Sequence, residues 1–318
     1  MFPATVECAL MKIEHAFSTD FDEVVDIDTA YELFTAGRIL DKHNFSCLYP
    51  DCAGDITAAN LDKLRQDMVV DPYFRRVGDE HTAACNTHGG CEEMASASDE
   101  EARRERGRKD DTLPDQFVLT RPPSHEVKVQ AVPEGPDGAA RTKRTRRTGS
   151  PGDAHLHPAT AYSVGSLVSR FARYRKRGVD AIKILSIKGF RLSYHDMFVP
   201  LTNLDLKDVA SHWRVYFGRA FVDRKATGYA ITFVPESAVE FNGKIYRPSL
   251  FVSDERIANA YSRTLFDRKF KDLSERGRPD AWFFVYGKLE PVERAGKTYV
   301  NFNVFNLDYI DFREGFEP

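Results

Sequence analysis

The sequence predicts an α+β chain: a small metal-binding N-terminal domain, a disordered charged linker, and a C-terminal five-stranded β-barrel with one helix between strands 3 and 4. Three observations carry this expectation. Four of the five cysteines fall between Cys47 and Cys91. Apolar periodicity disappears over residues 92–157, as it does in segments that bury too little apolar surface to offset the entropy of ordering. From Trp213 to Phe312, aromatic and β-branched segments are interrupted once by a charged helical stretch. The boundaries read as 1–91 for the zinc-binding domain, 92–157 for the linker with its basic arm, 158–205 for a basic amphipathic helix and connecting segment, and 206–318 for the barrel.

In the N-terminal domain, residues 21–27 (FDEVVDI) read as a short strand. Asp28 and Thr29 are placed to cap a helix over residues 30–37, which Gly37 closes. The segment FSCLYPDC (45–52) then sets two cysteines four residues apart, and EHTAAC (80–85) adds a histidine and a third thiol. Cys47, Cys52, His81 and Cys85 together make a complete tetrahedral shell for Zn2+, and a closed shell gives the ion a structural role. His88 and Cys91 are alternative fourth ligands. Neither an HExxH nor an H-x-E…P-C-x-x-C pattern, which catalytic zinc would use, is present.

This stretch resembles the zinc-ribbon-like N-terminal module of CoiA-like competence proteins and related bacterial proteins. Phe45, Cys47, Cys52, Tyr73-Phe74-Arg75, His81 and Cys85 carry the resemblance over about 50 residues. It departs from that pattern in its wider cysteine pair and in Arg76, which stands where a histidine is expected. The resemblance implies a bacterial protein acting near DNA uptake, repair or mobile elements.

Thiols grouped in this way fit a metal site in a reducing compartment better than a disulfide framework. The opening segment is interrupted by Glu7, Lys12 and Glu14, and no apolar run reaches the roughly 20 residues of a membrane span. A cytoplasmic, non-membrane protein is expected.

The net charge of −3 hides a strong asymmetry. Residues 1–91 carry 7 Lys/Arg against 16 Asp/Glu, whereas residues 141–191 carry 13 against 2. A basic block of this kind is the electrostatic footprint of a polyanion partner, because neutralising each phosphate releases condensed counterions. Arg144, Arg146 and Arg147 lie in a flexible arm suited to gripping phosphates. Residues 161–178 place Val164, Leu167, Val168, Phe171 and Tyr174 on one helical face and Arg170, Arg173, Arg175, Lys176 and Arg177 on the other. Such a helix can lie on nucleic acid or against an acidic domain, and the acidic N-terminal domain is itself a candidate protein-binding surface. Ser163, Ser166 and Ser169 thin the apolar stripe and disfavour a membrane.

The barrel segments are residues 213–223, 228–234, 244–253, 281–289 and 298–309, with a hairpin turn over 293–296. The β-β-β-α-β-β order resembles the oligonucleotide/oligosaccharide-binding (OB) barrel. Period-two alternation sends Val300, Phe302 and Val304 into a core and leaves Tyr299, Asn301, Asn303 and Phe305 outside. By the same reasoning Arg214 and Tyr216 oppose Trp213, Val215 and Phe217. With Arg219 alongside, bases would stack on the outward rings while cations meet the phosphates. Residues 206–318 are nearly neutral, with 18 Lys/Arg against 16 Asp/Glu, so affinity would depend on the basic block as well.

No Walker A loop, strand-linked GxGxxG, GxSxG elbow or kinase set occurs, and the nuclease Glu-x-Lys is missing before Lys288. The expectation is a non-catalytic, zinc-containing protein that binds single-stranded DNA or RNA. The alternative is a protein-interaction adaptor in a bacterial multi-protein system, with a nuclease subunit third.

Overall fold

The computed structural model describes residues 13, 15–48, 52, 54–63, 68, 70–78, 81, 114–122, 160–209, 212–261 and 263–316. The chain divides into two compact units. One comprises Met1–Lys63, Val69–Leu113 and Pro122–Ala159, the other Leu64–Met68, Pro114–Arg121 and Thr160–Pro318.

The first unit holds β1 (His15–Ser18), β2 (Glu23–Asp26), α1 (Ile27–Thr35), β3 (Phe45–Ser46), β4 (Asp55–Ala59) and β5 (Tyr73–Val77). Its strands form one antiparallel sheet in the order β2-β1-β3-β4-β5. Helix α1 starts earlier than its sequence suggests, because the Asp26 carboxylate accepts from the backbone N–H groups of Asp28 and Thr29 at 2.9 and 3.0 Å. That carboxylate satisfies donors a helix start leaves orphaned. Ala16, Phe45, Ile56, Ala58 and Phe74 fill the core, and Phe45 meets Phe74 edge to face at 5.3 Å.

The second unit runs through β6 (Asp115–Phe117), β7 (Thr160–Ala161), α2 (Val164–Lys176), β8 (Ile184–Ile187), β9 (Phe190–Ser193), α3 (Tyr194–Met197) and β10 (Phe198–Pro200). It continues with β11 (Leu204–Asp205), α4 (Leu206–Val209), β12 (Arg214–Lys225), β13 (Gly228–Phe233), β14 (Val239–Phe241), β15 (Lys244–Tyr246) and β16 (Ser249–Ser253). After α5 (Asp254–Ala258) and α6 (Arg263–Arg276) come β17 (Ala281–Gly287), β18 (Leu289–Arg294), β19 (Lys297–Phe302) and β20 (Ile310–Glu314). An eight-stranded sheet has the order β18-β19-β16-β13-β12-β17-β20, with β10 parallel to β12. A four-stranded sheet, β7-β6-β8-β9, and a three-stranded one, β11-β14-β15, complete the unit.

This architecture corrects the expected fold. In place of a small zinc-ribbon-like domain and one five-stranded OB-like barrel, the described strands make sheets of five, four, eight and three strands. The local segments carry strands, but their number and assembly differ, for identifiable reasons. Pro248 lacks an N–H and divides the third segment into β15 and β16. Beyond Lys288 the chain resumes as β18, which pairs with β19, and β10 and β20 add to β12 and β17. Strand β6 falls within the stretch expected to be linker.

The N-terminal half of β12 is buried on both faces. Val215 and Phe217 pack with Phe171 of α2, Phe198, Phe284 and Tyr286. Tyr216 points the other way, into a second core with Phe270 of α6, Phe283, Phe302 and Ile310. Phe171 stacks on Phe198 at 4.0 Å, and Phe270 sits among Tyr229, Phe283 and Phe312 at 5.5 to 6.4 Å. Gly218 is required by close approach, since a Cβ there would lie 2.5 Å from the Ser237 hydroxyl.

Two outcomes follow from these cores. Phe270→Ala leaves a cavity at a fully buried position and destabilises the second unit by about 3–5 kcal/mol in denaturant unfolding. Burial pushes the phenols of Tyr216 and Tyr286 up to about 12, partly offset in both by the Arg214 charge. Above a pH of about 10 the unfolded phenols ionise while the folded ones stay protonated. These two groups therefore contribute stability that is fully present below pH 10 and lost as pH rises toward 12, which denaturant midpoints measured at pH 9 and pH 11 will show.

Candidate metal centre and nucleic-acid interface

Strands β3, β4 and β5 are neighbours, and their ends bring three ligand-type side chains together. Cys47 follows β3, Cys52 precedes β4, and His81 lies beyond β5, whose Val77 pairs with Asp55. The Cys47 N–H donates to the Gly54 carbonyl at 3.0 Å, which closes the loop between the cysteines. Cys47, Cys52 and His81 are buried, and their sulfur and nitrogen atoms lie within 4.8 Å of one another. His81 Nδ1 is 3.3 Å from Cys52 Sγ, and Nε2 is 3.1 Å from the Asp55 carbonyl oxygen.

This group can hold a metal ion. Two thiols and an imidazole form a soft donor set. A tetrahedral zinc with bonds of about 2.3 Å to sulfur and 2.0 Å to nitrogen separates its ligand atoms by roughly 3.5–3.8 Å, a separation that the 3.3 Å Cys52–His81 pair and the 4.8 Å outer limit of the group bracket. Cys85, the expected fourth ligand, and its alternatives His88 and Cys91 lie outside the described residues.

In the eight-stranded sheet, register defines an outward face. Phe221 pairs with Thr232, Thr232 with Ser249, Ser249 with Asn301, and Asn301 with Glu290. Phe251, beside Ala230, and Tyr299, beside Val292, lie on the same face, while Val222, Ile231, Leu250 and Val300 point into the core. Phe251 and Tyr299 are 46% and 45% exposed, so their rings are accessible for stacking. The Arg247 guanidinium lies over the Phe221 ring at 5.8 Å, and Ser249 Oγ donates to Asn301 Oδ1 at 2.8 Å. Arg219 is exposed, with Nε donating to the Pro279 carbonyl at 3.0 Å. Phe305 is exposed just beyond β19, and Arg214 is half-buried beside Trp213.

Two expected contact residues are corrected by burial. Tyr216 is inside the core, its hydroxyl donating to the Val209 and His212 carbonyls at 3.2 and 3.1 Å. It is inaccessible because both faces of that half of β12 are covered. Arg170 is also buried, donating to the Thr160 carbonyl at 3.2 Å and facing Asp115 at 3.8 Å. The same carboxylate accepts from the Tyr194 and Tyr174 hydroxyls at 2.6 and 3.1 Å, so Arg170 anchors β6 to α2. Arg173 is half-buried, while Arg177 is exposed. Arg144, Arg146 and Arg147 lie outside the described residues.

A basic surface remains at the end of α2 and along the β8–β9 hairpin. Residues 173–191 carry 7 Lys/Arg against Asp180 alone. Arg175, Lys176, Arg177, Lys188 and Arg191 are exposed, with no carboxylate within 4 Å among the described residues. Phe190, 75% exposed, stands beside the Lys188-Gly189 turn. In contrast, the groove beside Arg224, Tyr229 and Asp254 has its charge internally matched, Arg224 and Asp254 forming a bidentate pair.

Phe221, Phe251 and Arg247 escaped the sequence reading, although the period-two rule that placed Tyr299 outward applies equally to residues 249–253. Compared with known proteins, the chain matches no protein-family model, no curated protein and no solved structure.

If the buried trio binds metal, a chelator lowers the thermal midpoint of the unaltered chain. The same treatment leaves the Cys47→Ala/Cys52→Ala form unchanged, with unfolding followed by circular dichroism.

Proposed function

We propose that this chain is a non-catalytic, zinc-stabilised protein that binds single-stranded DNA or RNA across the outward face of β12, β13, β16 and β19. The observation that carries this reading is the set of outward rings on one sheet face, Phe221 of β12, Phe251 of β16 and Tyr299 of β19, interspersed with Thr232, Ser249, Asn301 and Arg247. Outward rings offer stacking platforms worth about 1–3 kcal/mol per base, whereas the polar groups between them meet base edges or sugars. A duplex hides its base faces, so this surface favours an unpaired strand.

The sheet region is nearly neutral, so the phosphates are met chiefly by Arg175, Lys176, Arg177, Lys188 and Arg191, with Arg219 beside the rings. The metal is assigned as Zn2+ in a structural role, because two buried thiolates and an imidazole suit it and Cys85 would close the shell. The resemblance to CoiA-like proteins agrees with a DNA-handling role in the bacterial cytoplasm.

Fluorescence anisotropy with a labelled oligothymidine tests the proposal. Binding weakens steeply with salt, with a log–log slope of about −0.7 per phosphate neutralised. Phe251→Ala and Tyr299→Ala each weaken it by about tenfold or more with the slope unchanged, whereas Arg175→Glu/Arg177→Glu flattens the slope. Equal affinity in the aromatic variants would falsify the stacking face, and no binding at low salt would favour a protein-interaction adaptor.

A further inference from the structure

Gly54 sits against His81 in an unusual way. A Cβ at position 54 would lie 2.4 Å from His81 Cγ, 2.4 Å from Nδ1 and 2.5 Å from Cδ2, far inside van der Waals contact with the ring. The ring is buried and held from its far side, where Nε2 meets the Asp55 carbonyl at 3.1 Å. A carbonyl oxygen only accepts, so Nε2 carries the ring proton and Nδ1 presents its lone pair. That lone pair faces Cys52 Sγ at 3.3 Å, within the cluster completed by Cys47. Fixing a tautomer through the remote nitrogen is how outer contacts commonly orient a ligating histidine.

We propose that the ion is bound through Nδ1 of His81, and that Gly54 is the positioning residue that makes this ligation geometry accessible. One residue then serves two ligands. Its missing side chain leaves the space the imidazole occupies, and its carbonyl accepts the Cys47 N–H at 3.0 Å. Asp55 acts through its backbone alone, so its carboxylate is dispensable for binding. The short stretch from Cys52 to Asp55 thus supplies a ligand, a space and a tautomer lock. This inference rests on the metal reading of the cluster and adds to it which atom coordinates and what orients the ring.

The experiment is a double-mutant cycle on the full chain, with Zn2+ affinity measured by competition against a chromophoric chelator. Gly54→Ala weakens Zn2+ about 10- to 100-fold, a loss typical of disturbed outer contacts. In a His81→Ala background the same change has almost no further effect on affinity or on thermal midpoint, because the ring it would strike is gone. Asp55→Asn retains wild-type affinity. Long-range 1H–15N correlation of the zinc-bound chain shows a protonated Nε2 and a metal-shifted Nδ1. Additive losses in the cycle, coordination through Nε2, or unchanged affinity in Gly54→Ala would each overturn the inference. Failure of the unaltered chain to take up Zn2+ would sink the zinc reading itself, a result distinguishable from all three.

Discussion

The second unit depends on the burial of one strand from both sides. Over Val215, Tyr216 and Phe217, β12 separates two aromatic cores, one sealed by α2 and the other by α6. A half-exposed strand can slip by one residue and exchange its faces, but a strand buried on both faces has no solvent side to which its apolar set could move. Pairing of β12 with β10, β13 and β17 then fixes the positions of the remaining strands. Further along, only one side remains covered, with Val222 inside while Phe221 and Asp223 face outward. The candidate binding face begins where the second layer ends.

The same principle operates on a smaller scale in the first unit. No single loop holds the candidate metal-binding group; it exists because three adjacent strands end near one point. Sheet pairing brings Cys52 and His81 together across 28 intervening residues, and the loop hydrogen bond from Cys47 to Gly54 adds the second thiol. Burial gives the cluster its character, because thiols and an imidazole enclosed away from water favour a soft cation over an open reactive site.

Buried charge has a different use in the second unit. Arg170, Asp115, Tyr174 and Tyr194 form a network in which one carboxylate satisfies two phenols and faces a guanidinium. Burial chiefly, with the Asp115 charge beside them, holds both phenols well above their usual range and keeps them protonated as donors. Removing Asp115 would take the carboxylate acceptor from both phenols, the costly case for buried donors. A basic residue at a surface-like helical position has thus become the anchor of β6, leaving α2 to present its cations from its last turn.

The sequence by itself determined the local periodicities and the chemistry they distribute. Alternation around Tyr299 correctly separated Val300 and Phe302 from Asn301 and Phe305. Helical spacing found the apolar face of α2, and ligand-type residues marked Cys47, Cys52 and His81. Tertiary structure decided what local pattern cannot encode: the number of strands in each sheet, the second layer that buries Tyr216, and the partner that draws Arg170 inward. It also placed Gly54 under the His81 ring and set Phe251 and Tyr299 on one face. The physical reason is that periodicity records which way a side chain points relative to its own backbone. Whether water or another element waits there is settled only when distant segments pair and pack.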